Sequence, residues 1–142
     1  MVEDDPQHLQ ALREESAALP HQVLFVTTRA DAEEALSREQ FCAVVCDVSI
    51  PADRHGFGCS DPAQGLALIR WIRDRTPAGQ LPIIANSSSS LGNALAVREG
   101  ADDDSPKTLD GRQLEHWLAR TCEALHPGAC PHLAPQAGGS CS

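Results

Sequence analysis

The sequence predicts an α/β fold: helices packed on a mostly parallel sheet. Two observations carry that expectation. Residues 23–26, 41–46 and 81–85 are short runs that are apolar on both faces, as strands buried between two helix layers are. Between them lie segments with apolar residues every three or four positions, the period of a helix with one buried face. The chain has 142 residues, 42% of them hydrophobic and 22% charged, which suits one domain with an ordinary core.

Taken in order, residues 6–19 read as the first helix. Pro6 suits a first helical position, and Leu9, Leu12, Ser16 and Leu19 share a face. Pro20 ends it, and residues 23–26 follow as a strand. Asp31, with Glu34 three residues later, resembles a capping box and starts a helix running to about Arg38. Residues 41–46 form a second buried strand that ends in Asp47, and residues 51–62 are a loop rich in Gly, Pro and Asp. Residues 63–75 are helical, with Leu66, Ile69 and Ile72 on one face, and Thr76-Pro77-Ala78-Gly79 breaks the helix. Residues 81–85 are the third buried strand. Residues 90–99 are a short helix with Gly100 as its C-cap. Residues 101–107 are ambiguous. Asp110 caps a last helix whose buried stripe is Leu114, Trp117, Leu118, Cys122 and Leu125. From His126 onward Pro, Gly, Ala and Ser dominate. The expectation is therefore one domain over residues 1–125 and a disordered tail over 126–142.

Charge narrows the function. Twenty acids against 11 bases give a net charge of −9. That balance disfavours a nucleic-acid backbone and an anionic membrane surface. No apolar run is long enough to span a bilayer. Met1-Val2-Glu3-Asp4-Asp5 has neither the basic region nor the apolar segment of a secretory signal. The cytoplasm is the expected location, and the six cysteines are expected to be reduced.

In parallel sheets of this kind, ligands collect beyond the carboxyl ends of the strands. Those positions hold Glu3 and Asp4, Asp47, Ser87 and Lys107, the only lysine in the chain. Three carboxylates at one sheet end repel each other unless a cation sits among them. Oxygen-only ligation suits Mg²⁺. A carboxylate beside Mg²⁺ is able to attack a phosphoryl group and form an acyl phosphate. A hydroxyl and an ammonium, here Ser87 and Lys107, suit the charge that spreads over the phosphoryl oxygens. A single strand-end acid is more often just a solvated sheet edge; the five residues together point the other way.

Several segments resemble one family in order and spacing. Val2-Glu3-Asp4-Asp5-Pro6 resembles the end of its first strand with an acidic pair. Ala43-Val44-Val45-Cys46-Asp47-Val48-Ser49-Ile50-Pro51 resembles its phosphoacceptor strand and trailing proline. Gly65-Leu66 matches the opening of its third helix, and Pro82-Ile83-Ile84-Ala85-Asn86-Ser87 its fourth strand and switch hydroxyl. Gly100-Ala101-Asp102-Asp103 and Lys107 resemble the segment ending in its lysine. Over about residues 1–125 the chain thus resembles the receiver domain of bacterial two-component response regulators. The resemblance implies a stand-alone, flavodoxin-like, doubly wound five-stranded sheet of order 2-1-3-4-5 with helices on both faces. It implies Asp47 as phosphoacceptor. Asp4, Asp47 and the Ser49 carbonyl would hold Mg²⁺ with Glu3 nearby, and Ser87 and Lys107 would contact the phosphoryl oxygens. The implied protein is not an enzyme. Its partners would be a histidine kinase or phosphotransfer protein and an output protein reached by protein–protein contact. No DNA-binding segment is expected after residue 125.

The chain departs from that family in four places. Only Met1 and Val2 precede the acidic pair, where an interior strand has about five residues. The expectation is a groove in the sheet, with marginal stability or a homodimer that covers the gap. Residues 52–61 are extra and sit beside the site. Asp103-Asp104-Ser105-Pro106 is a poor strand, tolerable at an edge, with Asp104 where a switch aromatic usually stands; the chain has no tyrosine. Thr108 replaces a proline. These departures support an alternative, a degenerate receiver acting as a phosphorylation-independent interaction module.

Rival motifs are weaker. Asp53-Arg54-His55-Gly56-Phe57-Gly58, with Ser89-Ser90-Leu91 downstream, matches a cobalamin-module pattern but reads better as a glycine-rich loop. Cys122, His126, Cys130, His132 and Cys141 are zinc-ligand types without a C-x₂-C pair. Cys42 and Cys46 share a strand face as small hydrophobes, and Trp71 and Trp117 lie on helix stripes. Asp47-Val48-Ser49 lacks the second acid of an aspartate-nucleophile phosphatase.

Overall fold

The computed structural model describes residues 1–19, 21–56, 59–107, 111–125 and 127–128. Its sheet has three parallel strands, β1 (Val44–Cys46), β2 (Ile83–Asn86) and β3 (Asp103–Ser105), in the order β1-β2-β3. Five α-helices accompany it among the described residues: α1 (Pro6–Ser16), α2 (Arg29–Arg38), α3 (Pro62–Arg75), α4 (Ser90–Glu99) and α5 (Gly111–Leu125). Alternation of side chains along the strands divides the core. Val44, Cys46, Ile83 and Ala85 pack with Ala32 of α2, Leu68, Ile69 and Ile72 of α3, and Ala96 of α4. Val45 and Ile84 face the other way, onto Leu114, Trp117 and Leu118 of α5. The stripe expected on α5 is buried as far as Cys122, with Leu125 partly covered.

The sheet is shorter than the sequence suggests. Residues 23–26 form no strand; Val26 makes one parallel bridge to Val2, and Val2 makes another to Cys46. The strand expected from residue 41 starts at Val44. Both corrections have one cause. Between residues 22–24 and 40–43 lies a groove of about 470 Å³, lined by Val23, Leu24, Phe41, Ala43, Val45 and Leu118 among others. Among the described residues only Met1 reaches into it, donating to the Leu24 carbonyl at 2.7 Å, so most of the apolar sequence on either side finds no ladder partner. The polar third strand behaves as an edge strand, with Asp103 and Asp104 exposed and Ser105 buried. Asp102 just before it stabilises the edge. Its carboxylate accepts the Ile83 N–H at 2.8 Å and pairs with Arg73, whose guanidinium also donates to the carbonyls of Gly100 and Leu81, each at 2.7 Å.

Helix starts follow side-chain caps. Asp5 Oδ1 accepts the N–H groups of Gln7 and His8, each at 2.9 Å, and opens α1 at Pro6. The cap of α2 is Thr28 and not Asp31: Thr28 Oγ1 accepts the Asp31 N–H at 3.1 Å. Asp31 instead lies in the first turn, where an acid suits the helix dipole. Helix α1 ends at Ser16, earlier than expected, and α4 matches its expected bounds, with Gly100 at φ 124° as its cap. The loop after β1 folds through a 3₁₀ turn at Arg54–Gly56 and an antiparallel bridge from Ile50 to Asp61, which caps α3. His55 is exposed there, in keeping with a surface loop. Gly65 lets α3 close onto the turn after Asp47. Its N–H donates to the Val48 carbonyl at 3.0 Å, and a Cβ would overlap that carbonyl.

Thr108, Asp110, Phe57, Gly58, the cysteine- and histidine-bearing tail from residue 129 and His126 lie outside the described residues. No described helix is long and apolar enough to cross a membrane.

Two outcomes follow from this packing. Gly65→Ala should destabilise the fold by about 2–3 kcal/mol in urea unfolding, because backbone cannot yield as a flexible side chain can. An unchanged midpoint would refute the close approach. Fusing about four apolar, β-branched residues ahead of Met1 should raise the melting temperature by several degrees, since about 1 kcal/mol moves a domain of this size by about 2–6 °C. No rise would show that the groove does not accept a strand.

Candidate functional site

Parallel pairing sends Val2 and Cys46 out of the sheet on the same edge. The Asp47 N–H donates to the Val2 carbonyl at 2.9 Å and the Glu3 N–H to the Val26 carbonyl at 3.0 Å, so the next residues of both segments emerge side by side. Glu3, Asp4 and Asp47 therefore converge: one carboxylate oxygen from each lies within 4.8 Å of the others. Glu3 and Asp47 are 1% and 2% exposed, whereas Asp4 is half-buried at the rim.

Lys107 enters from beyond β3. Its Nζ lies 2.8 Å from Asp47 Oδ2 and 3.1 Å from Glu3 Oε1. The Asp47 contact is a close ion pair; Oδ2 itself receives no well-directed hydrogen bond. Asp47 Oδ1 accepts the Ser49 N–H at 3.1 Å, which holds the turn after β1 against the carboxylate. Glu3 Oε1 also accepts the Asp5 N–H at 2.9 Å.

Burial, and after it the charge of Asp47, pushes the Glu3 carboxyl up to about 7, against the Asp5 N–H and Lys107. Burial by itself would lower Lys107, but the Asp47 and Glu3 carboxylates hold its ammonium above its ordinary value. Burial and the neighbouring Asp47 push the Cys46 thiol up to about 12, so this cysteine stays protonated and is no rival nucleophile.

Of the residues expected at the site, Glu3, Asp4, Asp47 and Lys107 come together and Ser49 adjoins them. Ser87 stands at the end of β2, and its Oγ accepts the Ser89 N–H at 3.1 Å without touching the trio. Asn93 of α4 braces this end of the sheet, donating to the carbonyls of Ser87 at 3.2 Å and Ser105 at 3.1 Å. Two side chains escaped the sequence reading. Ser60, from the extra loop, donates its hydroxyl to Asp4 in a short contact. His8 Nε2 faces Glu3 Oε2 at 3.5 Å. His8 was findable, since it follows the Asp5 cap by three residues and so turns toward the strand end. Ser60 had no local signal.

The donor set suits a hard divalent cation. It is all oxygen, it is acidic beyond what one lysine neutralises, and it includes a buried Asp47 oxygen with no directed hydrogen bond.

No protein-family model matches the chain. In sequence it is 30% identical over 116 residues to the transcriptional regulatory protein GltR of Pseudomonas aeruginosa, across 80% of this chain and 44% of that protein. In structure it is similar to the receiver domain of NtrX from Brucella abortus, with a TM-score of 0.67 at 22% identity, covering 89% of this chain and 97% of that one. It is also similar to the receiver domain of a sensor histidine kinase from Pseudomonas aeruginosa, whose structure has a magnesium ion coordinated in the active site cleft. That TM-score is 0.69 at 21% identity, over 84% of this chain and 91% of that one. This chain has the fold of response-regulator receiver domains. The chain spans less than half, 44%, of the length of GltR.

The raised Glu3 carboxyl sets a pH dependence for the metal-free protein. Its folded value near 7 lies above the ordinary 4.5, so the folded state binds the proton more tightly. The associated stability is present below about 4.5 and is lost as pH rises through about 7. The gain in urea midpoint from Glu3→Gln should therefore grow with pH across that window. A gain independent of pH would show that Glu3 does not titrate there.

Proposed function

We propose that the receiver takes a phosphoryl group on Asp47 from a partner histidine kinase or phosphotransfer protein, in the cytoplasm, and signals by protein–protein contact with an output protein. The observation that carries this reading is the Lys107 ammonium 2.8 Å from Asp47 Oδ2, beside a trio of carboxylates at one sheet end. A carboxylate oxygen of Asp47 attacks phosphorus. The phosphorus–nitrogen bond to the donor histidine breaks, its electron pair stays on nitrogen, and that nitrogen takes up a proton. Asp4, Asp47 and the Ser49 carbonyl would hold Mg²⁺, with Glu3 beside them. When bound, the ion supplies positive charge that offsets the acids and the incoming phosphoryl oxygens. Lys107 and the Ser87 hydroxyl meet those oxygens on the product. The group stays on the protein's own side chain, so the receiver acts as a substrate of its partner and not as an enzyme with its own turnover.

The same reading takes the full sheet order as 2-1-3-4-5. The bridges and registers support it, since one line across the sheet runs Val26, Val2, Cys46, Ala85, Asp104. Homodimerisation over the groove belongs to it as well. One observation favours a second reading, a phosphorylation-independent interaction module: exposed Asp104 occupies the place of the switch aromatic.

With Mg²⁺ and a small phosphodonor, the protein should gain an acid-stable, base-labile phosphoryl group detectable by mass. Asp47→Asn should abolish it, because an amide is no nucleophile. Lys107→Ala should weaken phosphate-dependent partner binding more than it weakens Mg²⁺ binding. Full labelling of Asp47→Asn would move the acceptor elsewhere, and an unlabelled parent would favour the second reading.

A further inference from the structure

Buried polar side chains form one row across the end of the sheet. Val2 pairs with Cys46 and Cys46 with Ala85, so the next residues along, Glu3, Asp47 and Asn86, lie side by side. Asn86 pairs in turn with Ser105. Side chains alternate along each strand. Val45 and Ile84 face α5, Cys46 and Ala85 face away, and Asp47 and Asn86 come back to the α5 face. All four members of the row are buried, Asn86 to 1% exposure. Three of them have partners. Glu3 has the Asp5 N–H and Lys107, Asp47 has the Ser49 N–H and Lys107, and the Ser105 hydroxyl donates to the Pro106 carbonyl. Asn86 has none: its Nδ2 and Oδ1 are both buried and unbonded. A buried carboxamide in that state is destabilising. It stands beside Asp47 of β1, and the Lys107 side chain must cross the end of β2 to reach Asp47 from beyond β3.

We propose that Asn86 is a further residue of the phosphoryl site, its side-chain amide donating to an oxygen of the group that Asp47 carries. The inference rests on reading Asp47 as the phosphoacceptor. Phosphoryl oxygens only accept hydrogen bonds, and the carboxamide nitrogen has two protons to give. The amide is unbonded before transfer and bonded after it. A bond made only with the modified form stabilises that form alone. Asn86 therefore adds a neutral donor beside the charged one of Lys107, and holds the phosphoryl group without adding charge to the metal-free site.

The test uses the whole chain with Mg²⁺ and beryllium fluoride, which adds to a carboxylate oxygen as a phosphoryl group does. Nitrogen-15 nuclear magnetic resonance of the parent should show the Asn86 side-chain N–H signals shifting, and exchanging more slowly with water, when beryllium fluoride binds. Asn86→Leu keeps the volume and removes the amide. It should raise the urea midpoint of the unmodified protein, because the unbonded group is gone. Its Kd for beryllium fluoride should nevertheless rise by about tenfold, the worth of a hydrogen bond to a charged group, while its Kd for Mg²⁺ alone moves by less than about threefold. Beryllium fluoride bound at Asp47 with the Asn86 signals unmoved would overturn the contact and leave Asp47 standing as acceptor. That readout needs only the parent, so it decides the matter even if Asn86→Leu fails to fold. A folded Asn86→Leu that binds beryllium fluoride as tightly as the parent would also overturn it. A parent that takes neither beryllium fluoride nor a phosphoryl group would sink the reading of Asp47, and this inference with it.

Discussion

The structure depends on a two-residue backbone clamp. Val2 sits between two neighbours, with its N–H donating to the Val45 carbonyl at 2.8 Å and its carbonyl accepting the Asp47 N–H at 2.9 Å. On the other side the Val26 N–H donates to the Met1 carbonyl and the Glu3 N–H to the Val26 carbonyl, each at 3.0 Å. With the Met1 ammonium, which donates to the Leu24 carbonyl at 2.7 Å, these bonds are the ladder that the described residues make in this part of the sheet. They set Glu3 and Asp4 beside Asp47. The rest of the position is groove, on the side of the sheet away from the acids.

The clamp forces like charges together, and the surroundings must compensate. Burying carboxylates is unfavourable without a partner. The lone lysine is that partner for two of them. Its long stem reaches from beyond β3 to Asp47 and Glu3 at once, so the edge strand and the first strand are tied through one ammonium. One positive charge does not balance three acids; burial first, and then the charge of Asp47, raise the Glu3 carboxyl despite the lysine. The same imbalance is what a cation among the three acids would offset.

Around this centre the packing is tight where geometry matters and loose elsewhere. Gly65 brings α3 onto the Val48 carbonyl, and the Ser49 N–H steadies the Asp47 carboxylate from the same turn. Arg73 and Asp102 staple α3 to the start of the edge strand through the carbonyls of Leu81 and Gly100 and the N–H of Ile83. This staple lets a strand reading Asp-Asp-Ser survive at an edge. The extra loop reaches the site through Ser60 on Asp4.

By itself the sequence determined the layer pattern, the helix stripes and the acids and lysine that the fold brings together. Each is written in local terms: runs apolar on both faces, a 3–4 residue period, and acids, a serine and a lysine just past strand ends. It also determined one weak point, since an acidic run pairs best at an edge, where β3 lies. Tertiary structure decided the rest, because it depends on partners distant in the chain. Residues 23–26 and 41–43 have strand composition, but a strand exists only where a neighbour accepts its hydrogen bonds, and beyond the bonds of Leu24 and Val26 to Met1 and Glu3 the described residues place a groove there. Thr28 took the cap of α2 from Asp31 because burial and the turn before the helix chose the start, and both residue types can cap. Ser60 and His8 reached the acids through a loop and a helix turn whose positions no local pattern encodes. The distance from Lys107 to Asp47, on which the proposed phosphoryl transfer rests, is a property of the folded sheet end alone.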